Sequence, residues 1–181
     1  MKIQAVTCEQ APELLPIFQE LETYYFGDAA ASRNDIEAYL SGSLFAPHSG
    51  VRVIAAYMQG NVVGFATYSI FYPAPKLSGQ MFMKDLFVSA SARGQKVGQA
   101  LMRYLAREAL EKGCRRLDWT AETTNPSAGQ FYRAIGASLI QEKEYYRFAE
   151  DVLEAFASGR ESERIVHQAD QSVVHQGSEA K

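Results

Sequence analysis

A glycine-bearing loop lies between a predicted strand and a predicted helix in the stretch KDLFVSASARGQKVGQALM, which begins at Lys84. The loop carries two glycines, Gly94 and Gly98, and two cations, Arg93 and Lys96. The unpaired N–H groups and the dipole of a helix N-terminus attract anions, and glycine lets phosphate oxygens approach the main chain. The pattern therefore indicates phosphate binding, although two glycines at this spacing also suit a tight strand-to-helix turn.

The loop differs from two common nucleotide-binding motifs. Neither G-x-x-x-x-G-K-[ST] nor G-x-G-x-x-G occurs in it. The sequence thus favours a phosphate-bearing ligand held by a loop of another kind.

A second stretch, NPSAGQFYRAIGA, starts at Asn125 and predicts a short helix with Pro126 in its first turn. It contains Phe131 and Tyr132. A neutral phenol, with an ordinary pKa of about 10, is a competent proton donor to a departing thiolate in a dry site. Tyr132 is therefore a candidate general acid, and core packing beside Phe131 is the alternative.

Both stretches resemble coenzyme-binding motifs of the GNAT superfamily of N-acetyltransferases. The sequence RGQKVG from Arg93 is similar to the family's pyrophosphate loop, R/Q-x-x-G-x-G/A, with Lys96 in place of the middle glycine. The sequence from Asn125 to Ala137 is similar to N-x-x-A-x-x-F-Y-x-x-x-G-A. The resemblance extends roughly from Lys2 to Phe148 and implies acetyl-CoA as the co-substrate, with no metal.

The resemblance also implies how the coenzyme is held. Main-chain groups of Leu86, Phe87 and Val88 would pair with its pantetheine arm. The pyrophosphate would lie against the loop, and side chains near Asn125 would contact the arm. The remaining expected coenzyme residues are Arg93, Gly94, Gln95, Lys96, Val97, Gly98, Gln99, Ser127 and Ala128.

The implied reaction is direct attack of a neutral amine on the thioester in a ternary complex. Tyr132 would protonate the thiolate, and a backbone amide near Val88 would stabilise the oxyanion. Asp85 is the leading candidate for the base that deprotonates the amine, with a solvated structural role as the alternative. Asp118 and Glu122 are weaker candidates.

Within the superfamily, the layout is most similar to diamine and polyamine N-acetyltransferases. Two acidic positions of that group are occupied here by Lys84 and by the second tyrosine of Tyr24-Tyr25. We therefore expect long polyamines to bind poorly, and an amine that carries a carboxylate to fit Lys84 better, unless Lys84 points into solvent. Substrate contacts are predicted at Tyr24, Lys84, Asp118 and Glu122.

The elements that position these residues follow from apolar periodicity. Strands are predicted at 2–6, 51–57, 62–71, 80–88 and 116–121, and a closing hairpin at 137–140 and 145–148. Helices are predicted at 12–25, 35–40, 97–112 and 125–134. The predicted fold is α/β, a single-domain GNAT fold with a mixed, mostly antiparallel twisted sheet of about six or seven strands flanked by helices, in which one parallel pair splays.

The composition limits the remaining possibilities. The chain has 181 residues and a net charge of −3, which does not favour nucleic-acid binding. Two cysteines, no signal sequence and no long apolar run favour a cytoplasmic protein without a membrane partner. We expect one domain at 1–148 and an appendage at 149–181, either a helix or a mobile tail. Two of the three histidines lie in that appendage.

The acceptor is expected to be the amine of a small molecule. Two alternatives remain open at this point: acetylation of a protein N-terminus or lysine, and a catalytically silent module that binds acyl-CoA. Pairing into a homodimer is a further expectation from the resemblance.

Overall fold

A five-stranded sheet in the order β1-β2-β3-β4-β5 lies at the centre of the computed structural model, which describes residues 1–159. Neighbouring strands are antiparallel except β4 and β5, which are parallel. The strands are β1 (Lys2–Val6), β2 (Arg52–Met58), β3 (Asn61–Ala74), β4 (Ser78–Val88) and β5 (Cys114–Trp119). The parallel pair is possible because a helix crosses over between β4 and β5.

Five α-helices surround or follow the sheet in the described residues. They are α1 (Leu15–Phe26), α2 (Arg33–Tyr39), α3 (Val97–Glu111), α4 (Pro126–Ala134) and α5 (Glu150–Ala157). A 3₁₀ turn at Cys8–Leu14 leads into α1, and a π-helical turn at Leu40–Leu44 continues α2. Shorter 3₁₀ turns lie at Gly27–Ala29, Pro75–Leu77 and Ala90–Ala92. No helix within residues 1–159 has the length and apolar character needed to cross a bilayer.

The two faces of the sheet bury separate cores. On one face, Phe18 of α1 stacks on Phe65 of β3 at 4.6 Å between ring centroids, and Phe87 joins the same cluster. On the other face, Leu101 and Leu105 of α3 are fully buried among residues of β2, β3 and β4. The helices α1 and α2 therefore cover one side of the sheet, and α3 covers the other.

A β-bulge at Lys84 changes the side of the sheet to which the end of β4 points. Thr67 pairs with Asp85 and the next residue of β3 pairs with Met83, so Lys84 has no partner in the register. Met83 is buried in the core beneath α3, whereas Phe87 is buried in the core beneath α1. One extra residue reverses the alternation of side chains, and Asp85 is thereby directed to the α1 side.

The predicted closing hairpin is wrong. Neither 137–140 nor 145–148 joins a strand ladder in the described part of the chain, and the sheet there has five strands instead of six or seven. Leu139 and Tyr146 are 76% and 82% exposed. Phe148 stacks on Phe156 of α5 instead, at 4.6 Å between ring centroids.

The chain divides into two compact units between Ala137 and Ser138. The first holds the sheet and helices α1 to α4, and the described part of the second, residues 138–159, holds α5. Helix α5 occupies the place where the predicted appendage begins. His167, His175 and the rest of that appendage from 160 onwards lie outside the described residues.

Gly64 provides a test of how closely α3 packs on β3. A Cβ at this position would lie 2.9 Å from Val97 Cγ1 and 3.1 Å from the Phe87 carbonyl oxygen. We expect Gly64→Ala to lower the free energy of unfolding by about 1–3 kcal/mol, because the added methyl overpacks the core. The measurement is urea denaturation followed by circular dichroism.

Gly42→Ala is the matched control for this substitution, because its Cβ would meet no atom within 4 Å. We expect the control to leave the stability nearly unchanged. A Gly64→Ala protein as stable as the wild type would contradict the close approach.

Candidate active site

The candidate site lies where β4 and β5 separate. Their pairing ends at Met83 and Trp119, while β4 continues along β3 to Val88. The amide N–H of Asp85 donates to Thr67 Oγ1 at 3.1 Å, and that of Ser89 donates to the Val63 carbonyl at 3.0 Å, both toward β3. The main-chain groups of successive residues point to opposite edges of a strand. Those of Leu86 and Val88 are therefore directed into the gap that β5 leaves, and those of Phe87 are directed toward β3.

The loop at the end of β4 places backbone N–H groups at the same gap. Lys96 is the N-cap of α3 and has left-handed backbone angles, with φ 62° and ψ 16°. Gly94 also has a positive φ, 76°. The lysine thus keeps the conformation that a glycine would adopt at this position of the motif. The first amides of α3, at Val97, Gly98 and Gln99, have no acceptor within the helix and can receive an anion.

At Gly98 the loop lies close to the second motif. A Cβ at Gly98 would lie 3.4 Å from the Phe131 ring and 3.7 Å from Val88 Cγ2. The start of α3 therefore lies directly beside both α4 and the end of β4, at a distance that would also accommodate a methyl group. The two motifs, separate in sequence, meet at this point.

Arg93 folds back over the end of β4. Its Nε donates to the Val88 carbonyl at 3.2 Å, and its guanidinium carbon lies 5.4 Å from the Tyr24 ring centroid and 6.0 Å from that of Phe87. In the same loop, the side-chain amide of Gln95 donates to the Ser91 carbonyl at 3.1 Å. The arginine is thus held between the loop and helix α1.

Asn125 caps helix α4. Its Oδ1 accepts from the Ala128 amide at 3.2 Å and from the Ser127 hydroxyl at 2.7 Å. Pro126 follows as the first helical residue, where its missing N–H needs no partner. The cap fixes the direction of α4 and, about two turns further on, the position of Tyr132.

Tyr132 lies half-buried between aromatic neighbours. Its ring centroid is 5.0 Å from that of Trp119, the last residue of β5, and 5.2 Å from that of Phe131. Burial raises the pKa of the phenol above its ordinary value, and the neighbouring Tyr25 raises it further. The phenol therefore remains protonated at neutral pH and can act as a proton donor.

Asp85 is held by the strand beside it. The Thr67 hydroxyl donates to Asp85 Oδ2 at 2.7 Å, and Lys84 Nζ lies 3.9 Å from Oδ1. The Asp85 side chain is 42% exposed and that of Lys84 is 77% exposed. The carboxylate is thus oriented by its threonine partner and open to solvent on the α1 side.

Exposed tyrosines lie on the α1 side near this carboxylate. Burial raises the pKa of Tyr25, and the phenol of Tyr24 and the charges of Asp85 and Glu122 raise it further. The pKa of Tyr39, at the end of α2, is raised by burial and then by the charges of Asp85 and Glu22. Tyrosines from two helices thus approach one group of carboxylates.

Sequence reasoning missed Tyr39, Glu22 and Trp119 as residues near the site. Tyr39 is 50% exposed at the end of α2, three residues after the buried Ile36, so helical periodicity places it beside the apolar face and gave no signal of a site. Trp119 had no signal either, because the end of a strand is the least reliable part of a pattern-based prediction.

Asp118 has partners of its own. Its Oδ2 lies 3.2 Å from Arg116 Nε and accepts from Gln80 Nε2 at 2.7 Å, and Arg116 also donates to Gln80 Oε1. It pairs in register with Phe82 of β4, before the strands separate. Among the predicted site residues, Asp118 therefore belongs to a polar network between paired strands.

The chain belongs to the acetyltransferase (GNAT) family, whose model matches residues 12–137. An integron cassette protein from the mobile metagenome of V. cholerae has a solved structure with a TM-score of 0.85 and 59% identity, covering 86% of this chain and 96% of that one. These matches agree with the α/β fold.

Two curated relatives carry named activities. Thialysine N-ε-acetyltransferase of Bos taurus is 32% identical over 46% of this chain and 48% of its own length. L-ornithine N5-acetyltransferase of Arabidopsis thaliana is 28% identical over 52% of this chain and 41% of its own length. The chain thus spans about half the length of the curated relatives it matches.

The backbone of Lys96 gives a test of the loop geometry. We expect Lys96→Gly to raise the free energy of unfolding by up to about 1 kcal/mol, because glycine adopts left-handed angles without the steric cost of a Cβ. Arg103→Gly, on the exposed side of α3, is the control and should destabilise by about 1 kcal/mol. Equal destabilisation by both substitutions, in the same urea titration, would be incompatible with a left-handed Lys96.

Proposed function

We propose that this protein transfers an acetyl group from acetyl-CoA to a primary amine of a small molecule, by direct attack within a ternary complex. The observation that carries the proposal is a protonated, half-buried phenol, that of Tyr132, beside the point where β5 leaves β4. A thiolate leaving group needs a proton donor in a site from which water is largely excluded, and Tyr132 has this environment.

In this proposal the coenzyme lies in the gap between the two strands. Its pyrophosphate binds to the amides at the start of α3, and its pantetheine arm pairs with the main chain of Leu86 and Val88. The N–H of Val88 then stabilises the oxyanion of the tetrahedral intermediate. Asn125, held as the cap of α4, borders the arm on the other side.

The amine approaches from the α1 side, where Asp85 is directed by the bulge. The carboxylate, oriented by Thr67, takes the proton of the attacking ammonium directly or through a water molecule. As the C–N bond forms, the nitrogen loses its second proton to solvent; as the C–S bond breaks, the thiolate takes the proton of Tyr132, and the resulting phenolate is reprotonated from solvent. The products are the amide and free CoA.

Substituting Tyr132 tests the proposed acid. We expect Tyr132→Phe to lower kcat at least about tenfold, since it removes the proton donor and retains the ring. The assay follows the release of free CoA with a thiol reagent across a panel of amines. Because burial, and then the neighbouring Tyr25, raise the pKa of Tyr132 above its ordinary value, the wild type should show no loss of this acid between pH 7 and pH 9.

Tyr104→Phe is the matched control, because Tyr104 is a partly buried tyrosine on α3 that packs in the core. It should retain nearly full kcat. An unchanged kcat in Tyr132→Phe would refute the proposed acid, and CoA binding without release for any amine would refute acetyl transfer to small amines. The outcome would then favour a binding module or a protein acceptor.

The charges near Asp85 favour one class of amine. The charges of Asp85, Glu22 and Glu122 raise the pKa of the exposed tyrosines Tyr25 and Tyr39, and Lys84 Nζ lies 3.9 Å from Asp85 Oδ1. An amino acid with a second, terminal amine presents two ammonium groups to the carboxylates and its own carboxylate to Lys84. We therefore propose an ω-amino amino acid, such as lysine, ornithine or thialysine, as the acceptor.

Reversing the charge of Lys84 tests this choice. The wild type should have a higher kcat/KM for lysine or ornithine than for spermidine. In Lys84→Glu, the ratio of these kcat/KM values should shift toward spermidine by about fivefold, which corresponds to the free energy of one partly exposed ion pair. Lys112→Glu, at the far end of α3, is the control and should leave the ratio unchanged. A wild-type preference for spermidine would overturn the proposed acceptor and leave the acyl transfer itself untouched.

A further inference from the structure

Tyr24 is on helix α1, on the side from which the amine approaches, yet its ring contacts the coenzyme loop. The guanidinium carbon of Arg93 lies 5.4 Å from the Tyr24 ring centroid. The Tyr24 ring in turn meets Phe87 edge to face at 6.1 Å. Tyr24 therefore lies between the end of β4 and an arginine of the loop.

Helix α1 is attached to the same loop by a second contact. Glu20 Oε1 accepts a hydrogen bond of 2.7 Å from the amide of Ala90. Ala90 is the first residue of the 3₁₀ turn that follows β4 and Ser89. Glu20 and Tyr24 are four residues apart and lie on one side of the helix. The two contacts therefore fix one side of α1 against the loop, which holds the Tyr24 ring in place.

The stacked arginine keeps most of its hydrogen-bonding capacity. Guanidinium has five N–H donors in one plane, and Nε uses one of them on the Val88 carbonyl at 3.2 Å. Within residues 1–159, Arg93 forms no ion pair. A guanidinium that lies over an aromatic ring makes a cation–π contact that consumes none of its N–H donors, so the two Nη groups remain for a phosphate.

We propose that Tyr24 is a positioning residue for the coenzyme: its ring holds Arg93 in the orientation that binds the pyrophosphate. The inference rests on the proposed use of acetyl-CoA and assigns Tyr24 to that half of the site, whereas the sequence placed it with the amine. An arginine that is already ordered loses less conformational freedom when the ligand binds, and CoA binds more tightly as a result.

The test measures the affinity for CoA by isothermal titration calorimetry in a double-mutant cycle of Tyr24→Ala and Arg93→Ala. We expect Tyr24→Ala to weaken CoA binding about three- to tenfold, and Tyr24→Phe to retain the wild-type affinity because the ring is kept. The double variant should bind CoA no more weakly than Arg93→Ala alone, since Tyr24 acts through Arg93. Additive losses would overturn the proposal.

A second measurement separates positioning from a general disturbance of α1. Acetyl-pantetheine carries the thioester and lacks the pyrophosphate, so the loss of kcat/KM in Tyr24→Ala should appear with acetyl-CoA and be absent with acetyl-pantetheine. An equal loss with both donors would assign Tyr24 a structural role or a role toward the amine, and would overturn the proposal. Phe26→Ala, an exposed aromatic substitution on the same helix, controls for the loss of ring area.

The same titrations distinguish this inference from the proposed function. A wild-type protein that binds neither CoA nor acetyl-CoA would defeat the proposed function. A wild type that binds CoA as tightly as Tyr24→Ala would defeat the inference alone.

Discussion

The site depends on a difference between the two partners of β4. On one edge β4 pairs with β3 as far as Val88, and on the other its pairing with β5 ends at Met83. A strand that keeps one partner and loses the other remains straight and ordered while it presents unpaired main-chain groups. Such groups are costly to bury without a partner, so the gap is suited to a ligand with amides of its own.

The bulge at Lys84 gives the same strand a second role. Without the extra residue, Asp85 would be directed to the α3 side, together with Met81 and Met83, whose side chains are buried there. With it, Asp85 and Phe87 are directed toward α1, and Asp85 reaches Thr67. In the proposed mechanism, one strand thus offers its edge to the coenzyme and a carboxylate on its face to the amine.

Helix α3 has to lie close to the sheet for this arrangement to work. Gly64 lets Val97 pack directly on β3, and at Gly98 the start of the helix lies beside α4. The helix N-terminus, its dipole and the left-handed Lys96 then come together at the end of β4. Arg93, stacked on Tyr24, links this coenzyme half of the site to α1 and hence to the exposed tyrosines.

Much of this could be predicted from the sequence, because the informative signals are local. The strand, loop and helix around Arg93, the cap at Asn125 and the phenol at Tyr132 each lie within one short motif, and the structure places the elements there as predicted. The strand boundaries differ by a few residues: β5 is Cys114–Trp119 where 116–121 was expected. Neighbouring strands, and not side-chain patterns alone, decide where a ladder ends.

Other features were decided by tertiary structure alone. The bulge follows from the register between β3 and β4, which a single strand's alternation does not contain. The segment 145–148 has the pattern of a strand, but it joins no ladder in the described residues, and Phe148 stacks on Phe156 of α5 instead. The contact of Tyr24 with Arg93 joins residues from two separate elements.

The sequence by itself determined the local chemistry and the order of the elements, because capping, turn and motif preferences act over a few residues. Only the packed fold decided which distant side chains meet, because those contacts depend on the register of the strands and on the burial of whole faces.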